Sequence, residues 1–379
     1  MGVTSIEWTT RSWNPVRGTK GRHICQRISA GCKNCYAATM NRRFSGIDYV
    51  VGADVPRLDE RALWEPLRWR SADRCFVCSM TDLFWEAILD EWIDRVFAVM
   101  ALCPTTIFQV LTKRPERMRS YFAAGGVLAR IAEAAQAMGR SASTSFKVYP
   151  VGPDAEFGYR WFVHPFPLPN VHLGVSVENQ ATADERIPLL LQTPAAVRFL
   201  SVEPLLGPVN VRGHVLGVER TAHCRCGHGH GFTRCPNTGG VARECHHKGC
   251  PCPGFQRVHG IHWAIVGGES GPGARPCDVA WIRSVVAQCK AAAVPCFVKQ
   301  LGSRPTDSSM RDVMCNGERH YTRPADDPFI ADCEARIADG RAPGYSVESH
   351  RLELRDRKGG SPDEWPPDLR VRESPCPTS

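Results

Sequence analysis

The chain has 379 residues, of which 43% are hydrophobic and 23% are charged, and its net charge is +8. The length predicts two to three domains, or one barrel-sized domain with an insertion. No stretch approaches the ~18 consecutive apolar residues of a membrane span, and residues 1–13 lack the pattern of a signal peptide. We therefore expect a globular cytoplasmic protein with no membrane partner, whose positive charge permits a polyanionic partner.

The first distinctive feature along the chain is a group of three cysteines, Cys25, Cys32 and Cys35, spaced C-x6-C-x2-C. Clustered cysteines without a signal peptide indicate metal binding rather than disulfides. Three thiolates leave one position of a tetrahedral zinc ion, or one corner of a [4Fe–4S] cluster, without a protein ligand. The residues alone allow an iron–sulfur site, a zinc site completed by a ligand such as His23, or incidental thiols.

Six short apolar segments follow, and each ends in a polar cluster. They occupy residues 74–84, 105–115, 170–179, 197–206, 262–271 and 295–302. Nearly continuous apolar runs of this length are typical of strands that are buried on both faces. Cys75 and Cys78 lie three residues apart in the first segment, so strand alternation places them on opposite faces. We interpret them as packing thiols rather than as a metal-binding pair.

Helical patterns separate several of these strands. Apolar residues recur at helical spacing over 88–100, a second helix begins near Pro115, and a third has Asp278 as its N-cap. The pattern over 181–192 is weaker because Pro188 interrupts it. Alternating strands and helices predict a parallel sheet with right-handed crossovers. The predicted fold class is therefore α/β, a (β/α) barrel or partial barrel, with a doubly wound open sheet as the alternative.

Three regions interrupt this alternation. Residues from about 141 to 166 are rich in aromatic residues and proline and predict a long loop. The polar chain from about 303 predicts an extension that wraps the surface or frays. The predicted organisation is a first part of the barrel at 1–218, a small zinc-binding insertion at 219–258, the rest of the barrel at 259–302 and a polar C-terminal extension at 303–379.

The insertion at 219–258 has almost no apolar residues, so metal bonds are the expected substitute for a core. Its candidate zinc ligands are Cys224, Cys226, Cys235, Cys245, Cys250, Cys252, His223 and His246. One or two zinc ions held by four cysteines, or by three cysteines and a histidine, are expected, with a second iron–sulfur cluster as the alternative. Nearby basic residues allow contact with nucleic acid, and a purely structural role is equally compatible.

Polar residues follow all six predicted strands. They are Ser79, Thr81 and Asp82; Thr112, Lys113 and Arg114; Ser176, Glu178 and Asn179; Ser201 and Glu203; Gly267, Gly268, Glu269 and Ser270; Lys299 and Gln300. Active sites of parallel barrels form at the carboxyl ends of the strands, so we expect a shared polar pocket there. Candidates to hydrogen-bond a ribose or a substrate, or else to cap helices, are Ser176, Glu178, Ser201 and Glu203.

The run IEWTTRSWNPVRG and the following C-x6-C-K-N-C-Y-A resemble the phage gp-thirty-seven/gp-sixty-eight family, a domain family of unknown function. The resemblance continues through SMTDLF, LTKRPERM, LGVSVEN, FLSVEPLLGPV, IVGGESGPGARP and FVKQLG, and reappears as RKGGSPDEWPPDLRVRE. It spans most of the chain and is broken near 141–166, 219–258 and about 303–350. It implies a phage or prophage origin.

The three-cysteine motif is in turn similar to that of radical S-adenosylmethionine (SAM) enzymes, whose usual spacing is C-x3-C-x2-C. In such enzymes three cysteines hold a [4Fe–4S] cluster, the fourth iron binds SAM, and reductive cleavage yields a 5′-deoxyadenosyl radical. The resemblance implies this role for Cys25, Cys32 and Cys35. A GGE motif commonly contacts the SAM amine in these enzymes. The sequence G-G-E also occurs here, as Gly267, Gly268 and Glu269, but on a late strand rather than on the second. From the residues alone, the motif is equally a tight turn whose glycines allow positive φ.

The function predicted from these observations is a radical-SAM-like iron–sulfur enzyme, with nucleic acid as the favoured macromolecular substrate and a reductant protein as a further partner. The alternative is a non-catalytic nucleic-acid-binding metalloprotein in which both cysteine clusters are structural. A zinc hydrolase lacks support because none of the six predicted strands carries a His-x-His signature and no carboxylate–histidine set recommends it. The substrate, the product and the oligomeric state cannot be deduced from the sequence.

Overall fold

The computed structural model describes residues 4–18, 21–45, 55–69, 74–139, 148–154, 158–163, 166–212, 233–234, 241–242 and 260–375. Its strands are β1 (Arg11–Trp13), β2 (Val16–Gly18), β3 (Pro56–Leu58), β4 (Arg74–Val77), β5 (Ile107–Thr112), β6 (Val148–Asp154), β7 (Gly158–Val163), β8 (Val171–Ser176), β9 (Val197–Val202), β10 (Thr233–Arg234), β11 (Val241–Ala242), β12 (Trp263–Gly267), β13 (Cys277–Asp278), β14 (Cys296–Gln300), β15 (Pro305–Cys315), β16 (Glu318–Pro324) and β17 (Tyr345–Arg351). Its helices are α1 (Tyr36–Ser45), α2 (Glu60–Leu63), α3 (Asp90–Leu102), α4 (Pro115–Ala123), α5 (Val127–Gly139), α6 (Gln180–Gln192), α7 (Val279–Ala291) and α8 (Pro328–Ala338).

Within the described residues, the main sheet has seven strands in the order β1-β4-β5-β8-β9-β12-β14. Every neighbouring pair is parallel. The spatial order follows the chain order from one edge to the other. A doubly wound sheet instead reverses its order at a switch point, so that alternative is wrong. The sheet is a curled half-barrel whose edges are β1 and β14, and the prediction of a partial α/β barrel is confirmed.

The six predicted strands are all present, and each lies within its apolar segment. Helices α3, α4, α6 and α7 also lie where the pattern predicts them. Pro115 occupies the first turn of α4, and Asp278 caps α7 by accepting a hydrogen bond from the Ala280 N–H at 2.9 Å. Helix α6 is continuous through Pro188. No helix in the described part of the chain is long and apolar enough to cross a membrane.

The two faces of the half-barrel have different packing partners. The outer face packs its apolar side chains into the large core that it shares with the helices. The inner face carries a separate aromatic cluster around Trp8, whose ring lies 4.8 Å from Phe76 and 6.1 Å from Trp263 between centroids. Phe199 and Phe297 complete this cluster. The aromatic cluster fills the interior, which leaves the carboxyl ends of the strands as the polar region of the half-barrel.

Gly174 on β8 makes room for one ring of this cluster, because a Cβ at that position would lie 2.6 Å from the Phe199 ring. We expect Gly174→Ala to lower the free energy of unfolding by about 1–3 kcal/mol through overpacking. Urea denaturation measures the change. The matched control is Gly207→Ala, since its Cβ would lie 4.0 Å from the nearest heavy atom, on Asn179. Equal stability of the two variants would contradict this packing argument.

The region predicted as a polar extension contains a second, smaller sheet. Strand β15 pairs in parallel with β13 and antiparallel with both β16 and β17, and α8 packs on it. Strand β16 is exposed along its whole length, which explains why its sequence lacks an apolar pattern. The region predicted as a long loop likewise includes strands, because β6 and β7 form an antiparallel hairpin.

Residues 365–373, which we call the C-terminal strap, run along the free edge of β14. The strap is antiparallel to β14, and the Val298 N–H donates to the Val371 carbonyl at 2.8 Å. Arg372 forms an ion pair with Glu7 at 3.2 Å. The strap therefore covers one edge of the half-barrel and connects that edge to the N-terminal segment.

Candidate metal centre

The three-cysteine loop, residues 21–35, lies across the carboxyl ends of the main-sheet strands. The hydroxyl of Thr81, after β4, donates to the Ile24 carbonyl at 2.7 Å. The amide of Asn34 donates to the carboxylate of Glu269, after β12, at 2.9 Å. Strands β4 and β12 are separated by three other strands, so these two bonds hold the loop across the mouth of the half-barrel.

Glu178, after β8, is the central anchor of the loop, and its side chain is fully buried. Its carboxylate accepts hydrogen bonds from the Ser29 hydroxyl at 2.6 Å and the Gly31 N–H at 2.8 Å, and it forms an ion pair with Lys113. A Cβ at Gly31 would lie 2.6 Å from the carboxylate, which explains the glycine. Burial opposes ionisation, but Lys113 and these hydrogen bonds outweigh it and hold the pKa of Glu178 below its ordinary value.

The three thiols affect one another electrostatically. Burial first, then the charge of Asp82 and in smaller part that of Cys35, raises the pKa of Cys25 to about 12. Burial and the charge of Cys32 raise the pKa of Cys35. Burial also opposes ionisation of Cys32, but backbone hydrogen bonding and the charge of Lys113 outweigh it and lower the pKa of Cys32. Cys32 is therefore the most readily ionised thiol of the loop.

The thiols suit a thiolate-bound metal by donor type, since soft sulfur ligands are preferred by zinc and by iron–sulfur clusters. Among the described residues, no group of three or more His, Cys, Asp or Glu side chains is arranged to hold a metal ion. Burial and the charge of Arg17 lower the pKa of His23 to about 4, and no cysteine contributes to that shift. By donor type alone, Cys25, Cys32 and Cys35 are the residues that would hold a cluster bound by three thiolates. The arrangement gives no support to a zinc ion completed by His23.

A buried ion pair supports the loop from the sheet side. Asp82 accepts hydrogen bonds from the Thr112 hydroxyl at 2.7 Å and the Lys113 N–H at 2.9 Å, and it pairs with Arg114 at 3.2 Å. Arg114 also donates to the carbonyl of Gln26 in the loop at 3.2 Å. These polar residues after β4 and β5 were predicted as pocket residues, and the structure places them beneath the loop.

Lys113 links the predicted residues Ser176 and Glu178, because its ammonium donates to the Ser176 hydroxyl at 2.9 Å as well as pairing with the carboxylate. Glu203 accepts from Lys299 at 2.6 Å and from Gln300 at 3.2 Å. Two lysine–glutamate pairs from four strands therefore line the mouth. The structure joins six of the predicted strand-end residues in two groups, Lys113 with Ser176 and Glu178, and Glu203 with Lys299 and Gln300.

The GGE segment follows β12, and close packing explains its glycines. A Cβ at Gly268 would lie 2.2 Å from the Leu301 carbonyl oxygen, and neither Gly267 nor Gly268 has a positive φ. The alternative expectation of a turn with positive-φ glycines is therefore wrong. Both carboxylate oxygens of Glu269 bind the guanidinium of Arg275, at 2.5 and 2.9 Å, while one of them also holds the loop asparagine. Glu269 anchors the loop, and its contact with SAM stays a prediction.

A model of the DUF5131 family, described as a protein of unknown function, matches residues 3–336. The chain belongs to the DUF5131 family. Comparison with curated proteins gives no match, and comparison with solved structures gives none. The family match includes the three-cysteine loop and all seven strands of the main sheet. Since the family carries no established activity, the chemistry of this DUF5131 protein has to be inferred from its site.

Cys78 is a residue of the DUF5131 site whose position the sequence did not reveal. Cys75 and Cys78 are both buried in the large apolar core, as expected of packing thiols. Strand β4 ends before Cys78, which has a φ of 55°, so strand alternation does not extend to it. The Cys78 carbonyl accepts a hydrogen bond from the Thr81 N–H at 3.1 Å, and the Thr81 hydroxyl bonds the three-cysteine loop, so Cys78 lies next to that loop. Burial first, then Asp82 and Cys25, raises the pKa of Cys78.

Apart from the short paired strands β10 and β11, the predicted zinc insertion of this DUF5131 chain lies outside the described residues. This applies to each of its candidate ligands, which are Cys224, Cys226, Cys235, Cys245, Cys250, Cys252, His223 and His246. Zinc binding by the 219–258 segment therefore stays a prediction from its sequence.

Proposed function

We propose that this protein is a radical SAM enzyme, of phage or prophage origin, that modifies a nucleic acid. In this proposal Cys25, Cys32 and Cys35 hold a [4Fe–4S] cluster, and the 219–258 segment binds zinc as a separate structural unit. The observation that carries the proposal is the placement of the three-thiol loop, which strand-end residues hold across the carboxyl edge of a parallel half-barrel. That edge is where parallel barrels place their active sites.

The charge around the loop supports an anionic centre. Between Glu7 and Asp48 the sequence contains eight Lys and Arg residues and no acidic residue. Lys113 adds a positive charge beside Cys32 from the strand side. Three thiolates and the carboxylate of SAM are negative, so this surplus of positive charge favours their assembly at one place.

A cluster held by Cys25, Cys32 and Cys35 would supply the one-electron reductive cleavage of SAM. The chain's own residues position the loop, through Glu178 and Glu269, and exclude water from the interior through the aromatic cluster. The lysine–glutamate pairs at the mouth supply donors and acceptors for SAM or for a substrate. A phosphate-rich substrate suits the net positive charge.

We expect anaerobically purified protein to cleave SAM slowly to 5′-deoxyadenosine and methionine when a strong reductant is added. Chromatography measures both products, and optical and electron paramagnetic resonance spectra of the reduced cluster should change when SAM binds. Boiled protein and protein without reductant are the controls. A reducible cluster that neither binds nor cleaves SAM would contradict the proposal and would favour a nucleic-acid-binding metalloprotein without catalysis.

A further inference from the structure

A cavity of about 350 Å³ lies beside the mouth of the half-barrel and uses none of the three-cysteine loop. The residues that line it include the apolar Pro305, Leu352 and Leu354 and the basic Arg351 and Arg357. We call this cavity the arginine pocket. Its volume falls within the roughly 300–1,000 Å³ of small-molecule sites.

The carboxylates of the arginine pocket are engaged elsewhere. Glu353 forms an ion pair with Arg319 at 2.7 Å. Asp356 accepts hydrogen bonds from backbone N–H groups, including that of Gly360 at 2.7 Å. Both carboxylates therefore already accept hydrogen bonds from other groups, and neither is paired with an arginine of the pocket.

The two guanidinium groups have no such partners. Within the residues that the structure describes, the side chains of Arg351 and Arg357 form neither a hydrogen bond nor an ion pair. Unpaired guanidinium groups at a concave surface are suited to charge-assisted hydrogen bonds with phosphate or carboxylate oxygens. The apolar lining beside them suits a flat ring rather than a second charge.

The arginine pocket also adjoins the mouth through a shared loop. Ser303, in the pocket wall, donates its N–H to the Glu269 carbonyl at 2.9 Å and accepts from the Gly271 N–H at 3.0 Å. The loop of the GGE segment is thus directly hydrogen-bonded to the pocket wall. A ligand held in the pocket would lie next to the proposed reaction site.

We propose that the arginine pocket binds one nucleotide unit, with its phosphate on Arg351 and Arg357 and its base against Leu352 and Leu354. The identity of this nucleotide as part of the substrate rests on the proposed function, whereas the binding itself does not require a cluster or SAM. Two ligands could supply this unit, a free mononucleotide or a nucleic-acid strand, and both present a phosphate beside an aromatic base.

Two binding measurements test this proposal. Fluorescence anisotropy measures the binding of fluorescein-labelled 12-nucleotide single-stranded DNA and RNA, and calorimetry measures the binding of the four ribonucleoside monophosphates. We expect the double variant R351Q/R357Q to bind at least about tenfold more weakly, since charge-assisted hydrogen bonds to phosphate are lost. The slope of log affinity against log salt concentration should fall by about one to two. Circular dichroism and thermal unfolding verify that the variant is folded.

The matched control is R336Q/R341Q, which removes two exposed positive charges outside the pocket. Equal weakening in both double variants, or no binding of any nucleotide by the wild type at low salt, would overturn the proposal. Binding of inorganic phosphate as tightly as a mononucleotide would also overturn it, because the base would then contribute nothing. Tighter binding of a strand than of a mononucleotide supports a nucleic-acid source, and binding of a mononucleotide without binding of a strand supports a free nucleotide. Retention of nucleotide binding by a cluster-free Cys32→Ala variant separates this test from that of the proposed function.

Discussion

Replacing Cys32 with alanine is expected to remove nearly all iron from the anaerobically purified protein. Cys32 is the thiol whose pKa is lowered, and only two thiolates, Cys25 and Cys35, would remain in the loop. Wild-type protein should carry about four iron and four sulfide per cluster. Chemical assays of iron and acid-labile sulfide, with the optical spectrum, measure the loss. Cys25→Ala and Cys35→Ala should behave in the same way.

Cys75→Ala is the matched control for the iron measurement, because it removes a buried thiol of β4 that belongs to the large apolar core. It should retain its iron. Zinc content should be equal in all these variants if the 219–258 segment holds zinc independently. Unchanged iron in Cys32→Ala, or equal loss of iron in Cys75→Ala, would show that the loop is not the cluster site.

Glu178→Gln is expected to lower the free energy of unfolding by about 3–5 kcal/mol, since it leaves Lys113 without its buried partner. The amide also loses acceptor capacity toward the Ser29 hydroxyl and the Gly31 N–H, so the three-cysteine loop should become sensitive to protease. Urea denaturation gives the stability change. Limited proteolysis followed by mass spectrometry locates the cleavage between residues 21 and 35.

The pH dependence of this stability difference has a definite sign. The pKa of Glu178 is lowered in the folded state, so its ionised form stabilises the fold above the unfolded-state pKa of about 4.3. This contribution is lost as the pH falls through the folded-state pKa. The wild type and Glu178→Gln should therefore converge in stability at acidic pH. Glu116→Gln, which breaks an exposed pair with Arg119, should change stability by less than about 0.5 kcal/mol.

The main sheet could be predicted from the sequence because its strands are buried on both faces. Strand β8, for example, has six consecutive buried residues, which produce a continuous apolar run. Strand β1 has only three residues, and two of them are only partly buried, so it leaves no comparable pattern. The small sheet was missed for a related reason, since exposed strands such as β16 have the composition of a loop.

The residues of the candidate site could be predicted from the sequence, but the hydrogen bonds between them could not. The strand-end position of Glu178 and Glu269 indicated the mouth, because parallel strands bring their carboxyl ends together. Their partners in the loop are separated from them by 149 residues for Ser29 and 235 residues for Asn34. No local pattern encodes a hydrogen bond over such a separation. The role of Glu178 and Glu269 in holding the three-cysteine loop could therefore be recognised only in the structure.

The C-terminal strap has a consequence for folding during synthesis on the ribosome. Its ion pair between Arg372 and Glu7 joins residues 365 positions apart, so it forms only after the whole half-barrel has been translated. Translation proceeds at roughly 5–20 residues per second, so about 4–15 seconds pass between the synthesis of Gln300, at the end of β14, and that of Glu373. During that interval the nascent chain exposes an unpaired strand edge, which other chains can pair with. Slow translation of this stretch should therefore increase aggregation of the nascent protein, because it prolongs the exposure of that edge.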